Sequence, residues 1–423
     1  MGQSTTSRRF QIVRLVVSLY VIFKRVQRLE ARGGKSDQVD ALYRAAGTRI
    51  REAAGTLAGA IVKAGQFLSL RQELFPEAFT RELQALQDAV PPAPYRAIQT
   101  VVEEAYKRPL GEVFRDFAPD PIASASLAQV HRATLTDGQT VAVKVLRPGI
   151  ARLTEVDLAT LGRVAWVTRR IPGLRTRLDF MALHQEFADT LAEELDMRAE
   201  AEHLNRFQEQ VEPNDRIVTP RVYATYTTAS VLVMTYLTGA NVGDAAQLRM
   251  WHVDAGEVRD TLLKVYLRQI LQTGFVHLDP HPGNLLVQPD GKVVLLDFGM
   301  VAEYSEAERS TFRRLIESVF LRNALGVAES LQNLGYLSEG VNPAEWMRDF
   351  GPITGLNGDF LRRLRAEPTF QLPARYMLLL RCVGLLKSVL TALTPDETDW
   401  IGVMSEIALP ITMDAVGNSV ARA

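Results

Sequence analysis

The stretch from Val276 to Met300 constrains this chain more than any other. It reads VHLDPHPGNLLVQPDGKVVLLDFGM, with Asn284 five residues after Asp279 and Asp297 thirteen residues after Asn284. An Asn and an Asp can hold Mg²⁺ on nucleotide phosphates, while another Asp orients or deprotonates the acceptor. The pattern therefore indicates phosphoryl transfer from a nucleotide.

The local sequence predicts how these three residues meet. Pro280 and Pro282 exclude a helix across the first loop. Val293–Leu296 predicts a short apolar strand that delivers Asp297 at its end, after a hairpin. The alternative is two unrelated turns, PHPGN and PDGK, on either side of a hairpin.

A lysine upstream fits the same chemistry. Thr136–Gly138 predicts a hairpin turn, and Thr140–Val145 then alternates in polarity. The alternation places three valines on one face of the strand and Ala142 and Lys144 on the other. Lys144 would contact phosphate, and Ala142 beside it leaves room for an adenine, as in the Val-Ala-Ile-Lys signature. The alternative is an ordinary surface lysine.

A glutamate should pair with that lysine. Met181–Phe207 predicts one long helix with apolar residues at four-residue steps. At about 100° per residue, Glu194 lies on the apolar face, whereas Asp196 and Glu200 lie near the opposite side. A glutamate on a core face needs a partner, so we predict that Glu194 pairs with Lys144. The alternative is a rim glutamate at the end of a buried stripe.

The segment before this strand departs from a protein kinase. Pro121–His131 reads PIASASLAQVH and contains no glycine. Alanine and serine let backbone N–H groups approach phosphate but lack glycine's access to positive φ. We expect a stiffer phosphate loop.

Together these motifs resemble the UbiB/AarF (ADCK-type) atypical kinase-like family. The resemblance runs from roughly Gly47 to Leu331 and rests on several motifs in order. These are Lys63-Ala-Gly-Gln66, the Ala-rich loop with Ala-Gln-Val-His, Glu194-Leu-Asp196, the His-Leu-Asp-Pro-His-Pro-Gly-Asn loop and Asp-Phe-Gly.

The resemblance implies an α+β, bilobal protein-kinase-like fold with a small β-containing N-lobe, a helical C-lobe and a helical N-terminal extension. It implies ATP or ADP with Mg²⁺ held by Asn284 and Asp297, and Asp279 as base or water-positioning residue. The expected nucleotide-binding residues are Ala123, Ser124, Ala125, Ser126, Ala128, Val130, Ala142, Lys144, Met234, Tyr236 and Leu237. Lys63, Gln66, Asp196 and Glu200 are expected to form a family-specific cap over the cleft.

The chain is accordingly divided into four segments. They are an N-terminal amphipathic helix and linker (1–34), a helical extension with Lys-x-Gly-Gln (35–94), the N-lobe (95–237) and the C-lobe with a helical C-terminal region (238–423).

The resemblance also implies a role in ubiquinone-like isoprenoid quinone biosynthesis, with a lipid or quinone precursor as partner. No Ala-Pro-Glu follows the Asp-Phe-Gly, which argues against protein substrates. Three other functions stay open: an ATPase that moves a membrane lipid, a nucleotide-gated scaffold without phosphotransfer, and a small-molecule phosphotransferase.

Composition limits the classes of binding partner and the cellular compartment that the chain suits. The formal net charge of −1 gives no footprint for nucleic acid, and the single cysteine, Cys382, fits a reducing cytoplasm. No uncharged apolar stretch of about 18 residues occurs, and Met377–Leu393 is expected to be a core helix. Phe10–Phe23 is apolar with flanking basic residues, so it suits a membrane interface, packing on the protein, or a homodimer contact. We expect a cytoplasmic, peripherally membrane-associated protein.

Overall fold

The structure is a computed structural model, and it describes residues 5–33, 35–71, 74–86, 91–168, 179–212, 215–338, 340–350, 369–370, 373–397, 402–408 and 410–411. It mixes helices with small sheets, which confirms the predicted α+β class. Two compact units are present, Met1–Glu202 with Arg221–Tyr236, and His203–Pro220 with Leu237–Ala423. Residues 203–220, assigned to the N-lobe from the sequence, belong to the second unit.

The first unit joins a helical extension to an antiparallel sheet. Its helices are α1 (Thr5–Ala31), α2 (Ser36–Leu57), α3 (Ala60–Ser69), α4 (Glu77–Gln84), α5 (Tyr95–Tyr106), α6 (Leu110–Val113), α7 (Ile150–Thr168) and α8 (Phe180–Glu194); α9 (Met197–Gln208) begins here and ends in the second unit. The sheet has the order β1 (Phe114–Ser124), β2 (Ala128–Leu135), β3 (Thr140–Leu146) and β5 (Val231–Thr235).

The alternation predicted for the lysine strand is confirmed. Val141, Val143 and Val145 of β3 are fully buried in a core that also contains residues of α5, β1 and β5. The β2–β3 hairpin turns where the sequence predicts it, and Gly138 adopts a φ of 91° there. Lys144 therefore lies on the face of β3 opposite to this core.

The single helix predicted for Met181–Phe207 is wrong, because α8 ends at Glu194 and α9 begins at Met197. Asp196 causes the break: its carboxylate accepts the backbone N–H of Arg198 at 3.0 Å, as an N-cap residue does for a new helix. The apolar spacing continues across the break, so the periodicity alone did not reveal it.

One face of α1 packs within the first unit. The buried Arg8 makes a bidentate ion pair with Asp157 of α7, at 2.7 and 2.6 Å, and donates to the carbonyl oxygen of Leu57 at 2.6 Å. Ile12, Ile22 and other residues of the same face enter apolar clusters with α2, α3 and α4. The packing expected as one alternative for this helix is thus present.

The second unit has two small sheets among helices. The sheets are β4 (Ile217–Val218), β9 (Val293–Leu295), β8 (Leu285–Val287) and β6 (Ala240–Asn241) in that order, and the pair β7 (Phe275–His277) and β10 (Val301–Glu303). The helices are α10 (Ala245–Met250), α11 (Ala255–Arg268), α12 (Glu306–Phe320), α13 (Ala324–Asn333), α14 (Pro343–Phe350) and α15 (Ala374–Leu393).

Among the described residues, α15 is the helix that meets the length and composition of a membrane span, over Arg375–Leu393. Its apolar side packs within the second unit, next to α11, and buries Leu379, Cys382 and Leu386. Arg381 lies between two of these buried residues in the sequence and is only partly exposed.

Candidate active site

Backbone pairing in the second unit brings the segments that carry Asp279, Asn284 and Asp297 together. The β8–β9 hairpin extends one step further, because the N–H of Leu296 donates to the carbonyl oxygen of Asn284 at 3.1 Å. Asp297 is the next residue. The β7–β10 pair extends likewise, through the N–H of Leu278 and the carbonyl oxygen of Met300 at 3.0 Å. Asp279 directly follows Leu278, and Asp297 directly follows Leu296. The short Asp-Phe-Gly turn then connects Asp297 to Met300.

Hydrogen bonds orient the side chains of all three residues. Asn284 Nδ2 donates to Asp279 Oδ2 at 3.1 Å and to the carbonyl oxygen of Asp279 at 3.3 Å. The N–H of Gly299 donates to Asp297 Oδ1 at 2.8 Å. Because the amide nitrogen of Asn284 is engaged with Asp279, its Oδ1 is the atom with which it would hold a cation.

The histidine in the middle of the predicted catalytic loop has a structural role. His281 Nδ1 accepts the N–H of Gly283 at 3.1 Å and caps the 3₁₀ turn Pro282–Asn284. Asn241 Nδ2 donates to the carbonyl oxygen of Pro282 at 2.7 Å. Both contacts fix the loop that carries Asn284.

The histidine before the loop connects α11 to the Asp-Phe-Gly turn. His277 Nε2 lies 2.6 Å from the carbonyl oxygen of Asp297, and Nδ1 lies 2.6 Å from the hydroxyl of Tyr266. A carbonyl only accepts, so Nε2 carries the hydrogen and Nδ1 accepts from Tyr266. Burial lowers the pKa of His277, although the Asp297 carbonyl opposes this, so the ring stays neutral. Tyr266 was not identified from the sequence.

The predicted pair between Lys144 and Glu194 is wrong. Lys144 Nζ lies 2.7 Å from Glu200 Oε1 of α9, and Glu194 Oε2 lies 2.7 Å from Lys63 Nζ of α3. The helix break is the reason. The prediction compared the directions of Glu194 and Glu200 around one helix axis, but the two residues lie on different helices, α8 and α9. All four side chains are at most one-fifth exposed.

The predicted cap residues have identifiable contacts within the first unit. Asp196 forms an ion pair with Arg198 at 2.6 Å, Glu200 is paired with Lys144, and Lys63 is paired with Glu194. Gln66 lies one turn beyond Lys63 on α3, where its carbonyl oxygen accepts from Ser69. Gly65 between them is buried, and a Cβ there would lie 2.2 Å from Leu86 Cδ1.

The α3 helix is attached to α8 by further contacts. Arg71 makes an ion pair with Glu186, and its guanidinium lies 4.4 Å from the centre of the Phe67 ring. The rings of Phe67 and Phe187 are 5.4 Å apart. The Lys-x-Gly-Gln segment is therefore packed on the helix that carries Glu194.

The Ala-rich loop is a tight turn, with Ala125 N–H donating to the carbonyl oxygen of Ala128 at 2.8 Å. Arg147, just after β3, holds it: Nε donates to the carbonyl oxygen of Ala125 at 2.8 Å and Nη2 to Ser124 Oγ at 2.7 Å. Burial lowers the pKa of Arg147. Sequence reasoning missed this residue, because its partners are mostly backbone oxygens. Ser126 is buried, and its hydroxyl has no hydrogen-bond partner among the described residues.

The Ala-Gln-Val-His motif forms a buried polar chain. Ala93 N–H donates to Gln129 Oε1 at 2.9 Å, and Gln129 Nε2 donates to His131 Nε2 at 2.7 Å. His131 Nδ1 then donates to the carbonyl oxygen of Ala118 at 2.9 Å. Burial lowers the pKa of His131. These side chains fix β2 to β1, while the predicted nucleotide positions Ala123, Ala128 and Val130 lie on the paired strands.

The predicted nucleotide-binding residues Met234, Tyr236 and Leu237 lie at the end of β5 and directly after it. Met234 is buried, and the hydroxyl of Thr235 is engaged by the backbone of Arg221, accepting its N–H at 2.8 Å. The guanidinium of Arg132 lies 5.4 Å from the centre of the Tyr236 ring. Leu237 begins the second of the two segments that make up the second unit.

The donor chemistry of the site suits Mg²⁺. Asn284 and Asp297 offer an amide and a carboxylate oxygen, and hard oxygen ligands with phosphate are how Mg²⁺ is usually bound. In the first unit, the buried Ser126 hydroxyl, which has no partner among the described residues, is the kind of group that a phosphate oxygen would satisfy.

Residues 85–331 match the ABC1 atypical kinase-like domain, which is more than half of the chain. The chain belongs to the ABC1 atypical kinase-like family. This confirms the resemblance that the motifs indicated.

Relatives of this ABC1 chain occur in bacteria and in a plant. It is 31% identical to the uncharacterized protein sll1770 of Synechocystis over 98% of its length and 73% of that protein. It is 34% identical over 67% of its length to the probable protein kinase UbiB of Marinobacter nauticus, and 29% identical over 93% to ACTIVITY OF BC1 COMPLEX KINASE 7, chloroplastic, of Arabidopsis thaliana. It spans only 52% and 59% of those two proteins.

A solved structure shares the ABC1 chain's fold. It is the complex of Rv3197 with erythromycin from Mycobacterium tuberculosis, with a TM-score of 0.58 and 25% identity over 85% of this chain and 95% of that one. The kinase-like fold expected from the sequence is thereby confirmed.

Proposed function

We propose that this ABC1-family chain binds a Mg²⁺–nucleotide, ATP or ADP, and catalyses phosphoryl transfer or ATP hydrolysis. The observation that carries the proposal is the arrangement of Asp279, Asn284 and Asp297 at the ends of paired strands. Backbone hydrogen bonds hold Asn284 beside Leu296 and Leu278 beside Met300. An Asp, an Asn and a second Asp in one loop system are the parts that phosphoryl transfer needs.

Each residue has a role in this proposal. Asp279 orients the acceptor hydroxyl and takes its proton, and Asn284 keeps the Asp279 carboxylate in place through the 3.1 Å hydrogen bond. Asn284 Oδ1 and an Asp297 oxygen would hold Mg²⁺, which neutralises charge on the phosphates when bound. Lys144, restrained by Glu200, is the phosphate-binding lysine.

We further propose that the protein acts on lipid at a membrane, in support of isoprenoid quinone biosynthesis. The family resemblance supports the quinone role. The outer face of α1 supports the membrane: Phe10, Val13, Val17 and Val21 are 43% to 69% exposed and share an arc of roughly 80°. Arg14, Lys24 and Arg28 lie on or beside this face. An exposed apolar stripe with flanking cations is typical of a helix at an anionic membrane interface.

Calorimetric titration with Mg²⁺–ATP and Mg²⁺–ADP tests the nucleotide proposal. The wild type should bind in Mg²⁺ and lose affinity in chelator, and Asp297→Asn should abolish the Mg²⁺-dependent part. The matched control is Asp290→Asn in the turn of the neighbouring hairpin, where Asp290 pairs with Lys292 at 2.8 Å; it should bind as wild type does. Equal affinity in Asp297→Asn and wild type would contradict the metal role.

Turnover separates the enzyme from a scaffold. Release of phosphate, or transfer from γ-labelled ATP with and without liposomes, should be detectable in the wild type. Asp279→Asn should remove turnover and leave nucleotide binding intact, since Asp279 positions the acceptor. Binding without any turnover would indicate a nucleotide-gated scaffold.

A further inference from the structure

A positive charge from α15 reaches the proposed catalytic base. Arg381 Nη2 lies 3.1 Å from Asp279 Oδ1, while the other carboxylate oxygen accepts from Asn284 at 3.1 Å. Arg381 is separated from Asp279 by 102 residues, so only the fold brings them together. Both side chains are partly exposed, at 35% and 28%.

Packing of α15 fixes the position of this arginine. Cys382, the next residue, is fully buried, and its Sγ lies 3.5 Å from the carbonyl oxygen of His277, two residues before Asp279. Leu379 and Leu386 bury the same side of the helix. Arg381 is therefore presented to the loop by a rigid element, as functional side chains usually are.

The catalytic segments lack any other cation of their own. No Lys or Arg occurs from Leu278 to Val287, or from Leu295 to Ala302. Yet phosphoryl transfer places negative charge on the equatorial oxygens of the transferred group, and a positively charged side chain there accelerates the reaction. Two carboxylates, Asp279 and Asp297, make such a charge more necessary, because they repel the phosphates.

Arg381 retains donors for a ligand. A guanidinium has five N–H groups, and Arg381 uses one on Asp279 and one in a weak contact with Met300 Sδ at 3.5 Å. The others have no protein acceptor among the described residues. We propose that Arg381 contacts the transferred phosphoryl group and, through its bond to Asp279, aligns the base with the acceptor. This rests on the proposed function.

The step balances without any further reactant. The acceptor oxygen forms a bond to the γ-phosphorus as the bond from that phosphorus to the β,γ-bridging oxygen breaks. The nucleoside diphosphate leaves with the electron pair, and the acceptor proton passes to the Asp279 carboxylate. Arg381 exchanges no proton, and its N–H groups stabilise the oxygens that carry the charge.

The test compares Arg381→Gln, Arg381→Lys and Arg381→Ala with wild type in kcat and in the Kd of Mg²⁺–nucleotide. Removing one such donor should lower kcat by about 10²- to 10³-fold, with Kd changed less than about threefold. Arg381→Lys should restore part of kcat. Added guanidinium chloride at low millimolar concentration should raise kcat of Arg381→Ala but not of wild type, which a purely structural ion pair would not show.

Lys387→Gln is the matched control, because Lys387 carries the same charge on the same helix and is exposed; its kcat should equal that of wild type. If Arg381→Gln turns over as wild type does, or faster, the inference is overturned and the pair is structural or inhibitory. If Arg381→Gln loses kcat but no cation rescues it and its melting temperature falls, the role is also structural. Failure of wild type to bind nucleotide would instead overturn the proposed function.

Discussion

Lys144 pairs with Glu200, six residues beyond the glutamate at which α8 ends, and Glu194 pairs with Lys63. The two ion pairs attach β3 to α9 and α3 to α8. Both pairs are largely buried, so breaking either one should destabilise the fold.

Double-mutant cycles should reproduce this pairing. Lys144→Met and Glu200→Gln should couple by about 1–3 kcal/mol in the free energy of unfolding, because the two side chains form one largely buried ion pair. The matched cycle of Lys144→Met with Glu194→Gln should give less than about 0.5 kcal/mol. Urea unfolding of the single and double variants measures both. Stronger coupling of Lys144 to Glu194 would restore the pairing predicted from the sequence.

Short local motifs could be predicted from the sequence more accurately than the long helix could. The strand with Lys144, the hairpin before Asp297 and the loop from Asp279 to Asn284 could be predicted because each depends on neighbouring residues. The helix break at Asp196 could not be predicted. An aspartate can cap a new helix, as Asp196 caps α9, but it can also lie within a continuous helix. Tyr266 and Arg381 were missed because a lone Tyr or Arg carries no motif, and Arg147 was missed because its partners are mostly backbone oxygens.

Tyr266 should act through His277 on the position of Asp297. Tyr266→Phe removes the donor to His277 Nδ1 and leaves a buried acceptor unsatisfied, which costs about 1–3 kcal/mol of unfolding free energy. The ring can then adopt the other tautomer and lose its bond to the Asp297 carbonyl. We expect a weaker Mg²⁺ dependence of nucleotide affinity in titration calorimetry. Lost stability with an unchanged Mg²⁺ dependence would show that Tyr266 only stabilises the fold.

Acid should destabilise the protein below about pH 6.5, the pKa of an unfolded histidine. Burial is the main cause that lowers the pKa of both His131 and His277 in the folded chain. Below this pH the unfolded state therefore binds more protons than the folded state. The contribution of each histidine to the free energy of unfolding is fully present above pH 6.5 and is lost as the pH falls toward the pKa of the folded state. Each histidine contributes a slope of up to about 1.4 kcal/mol per pH unit.

Urea unfolding between pH 7 and 5 measures this slope. His131→Asn should be less stable at pH 7 and show a shallower pH dependence than wild type. The control is His252→Asn, because His252 is exposed and has a φ of 55°, which asparagine tolerates. If the unfolding free energy of His131→Asn falls with pH as steeply as that of wild type, then His131 does not contribute to the pH dependence.

Gly274 should be intolerant of any side chain. It precedes β7 with a φ of 77°, and a Cβ would lie 2.4 Å from the carbonyl oxygen of Tyr304. Gly274→Ala should cost at least about 2 kcal/mol, from backbone strain and the clash with backbone. Gly384→Ala in α15 meets nothing within 4 Å and should stabilise by about 0.5–1 kcal/mol. Thermal unfolding compares them, and a neutral Gly274→Ala would show that the β7–β10 connection can relax.

The outer face of α1 should carry membrane affinity. Deleting the helix is a poor test, because Arg8 and Ile12 on its inner face are buried in the first unit. Replacing Phe10, Val13, Val17 and Val21 by serine removes only exposed apolar groups. Flotation with anionic liposomes should fall by at least tenfold, since a tenfold change needs only about 1.4 kcal/mol, with little change in melting temperature.

The basic residues beside this face are tested in the same flotation experiment. Arg14→Gln with Arg28→Gln should weaken flotation by about 1 kcal/mol per charge, and salt should weaken wild-type binding more than that of the variant. Leu321→Ser is the control, because Leu321 is 70% exposed in the second unit and lies outside α1. Flotation that survives both sets of α1 changes would exclude this face as the membrane contact, and a concentration-dependent shift to dimer in the wild type alone would identify a second copy of the chain as its partner.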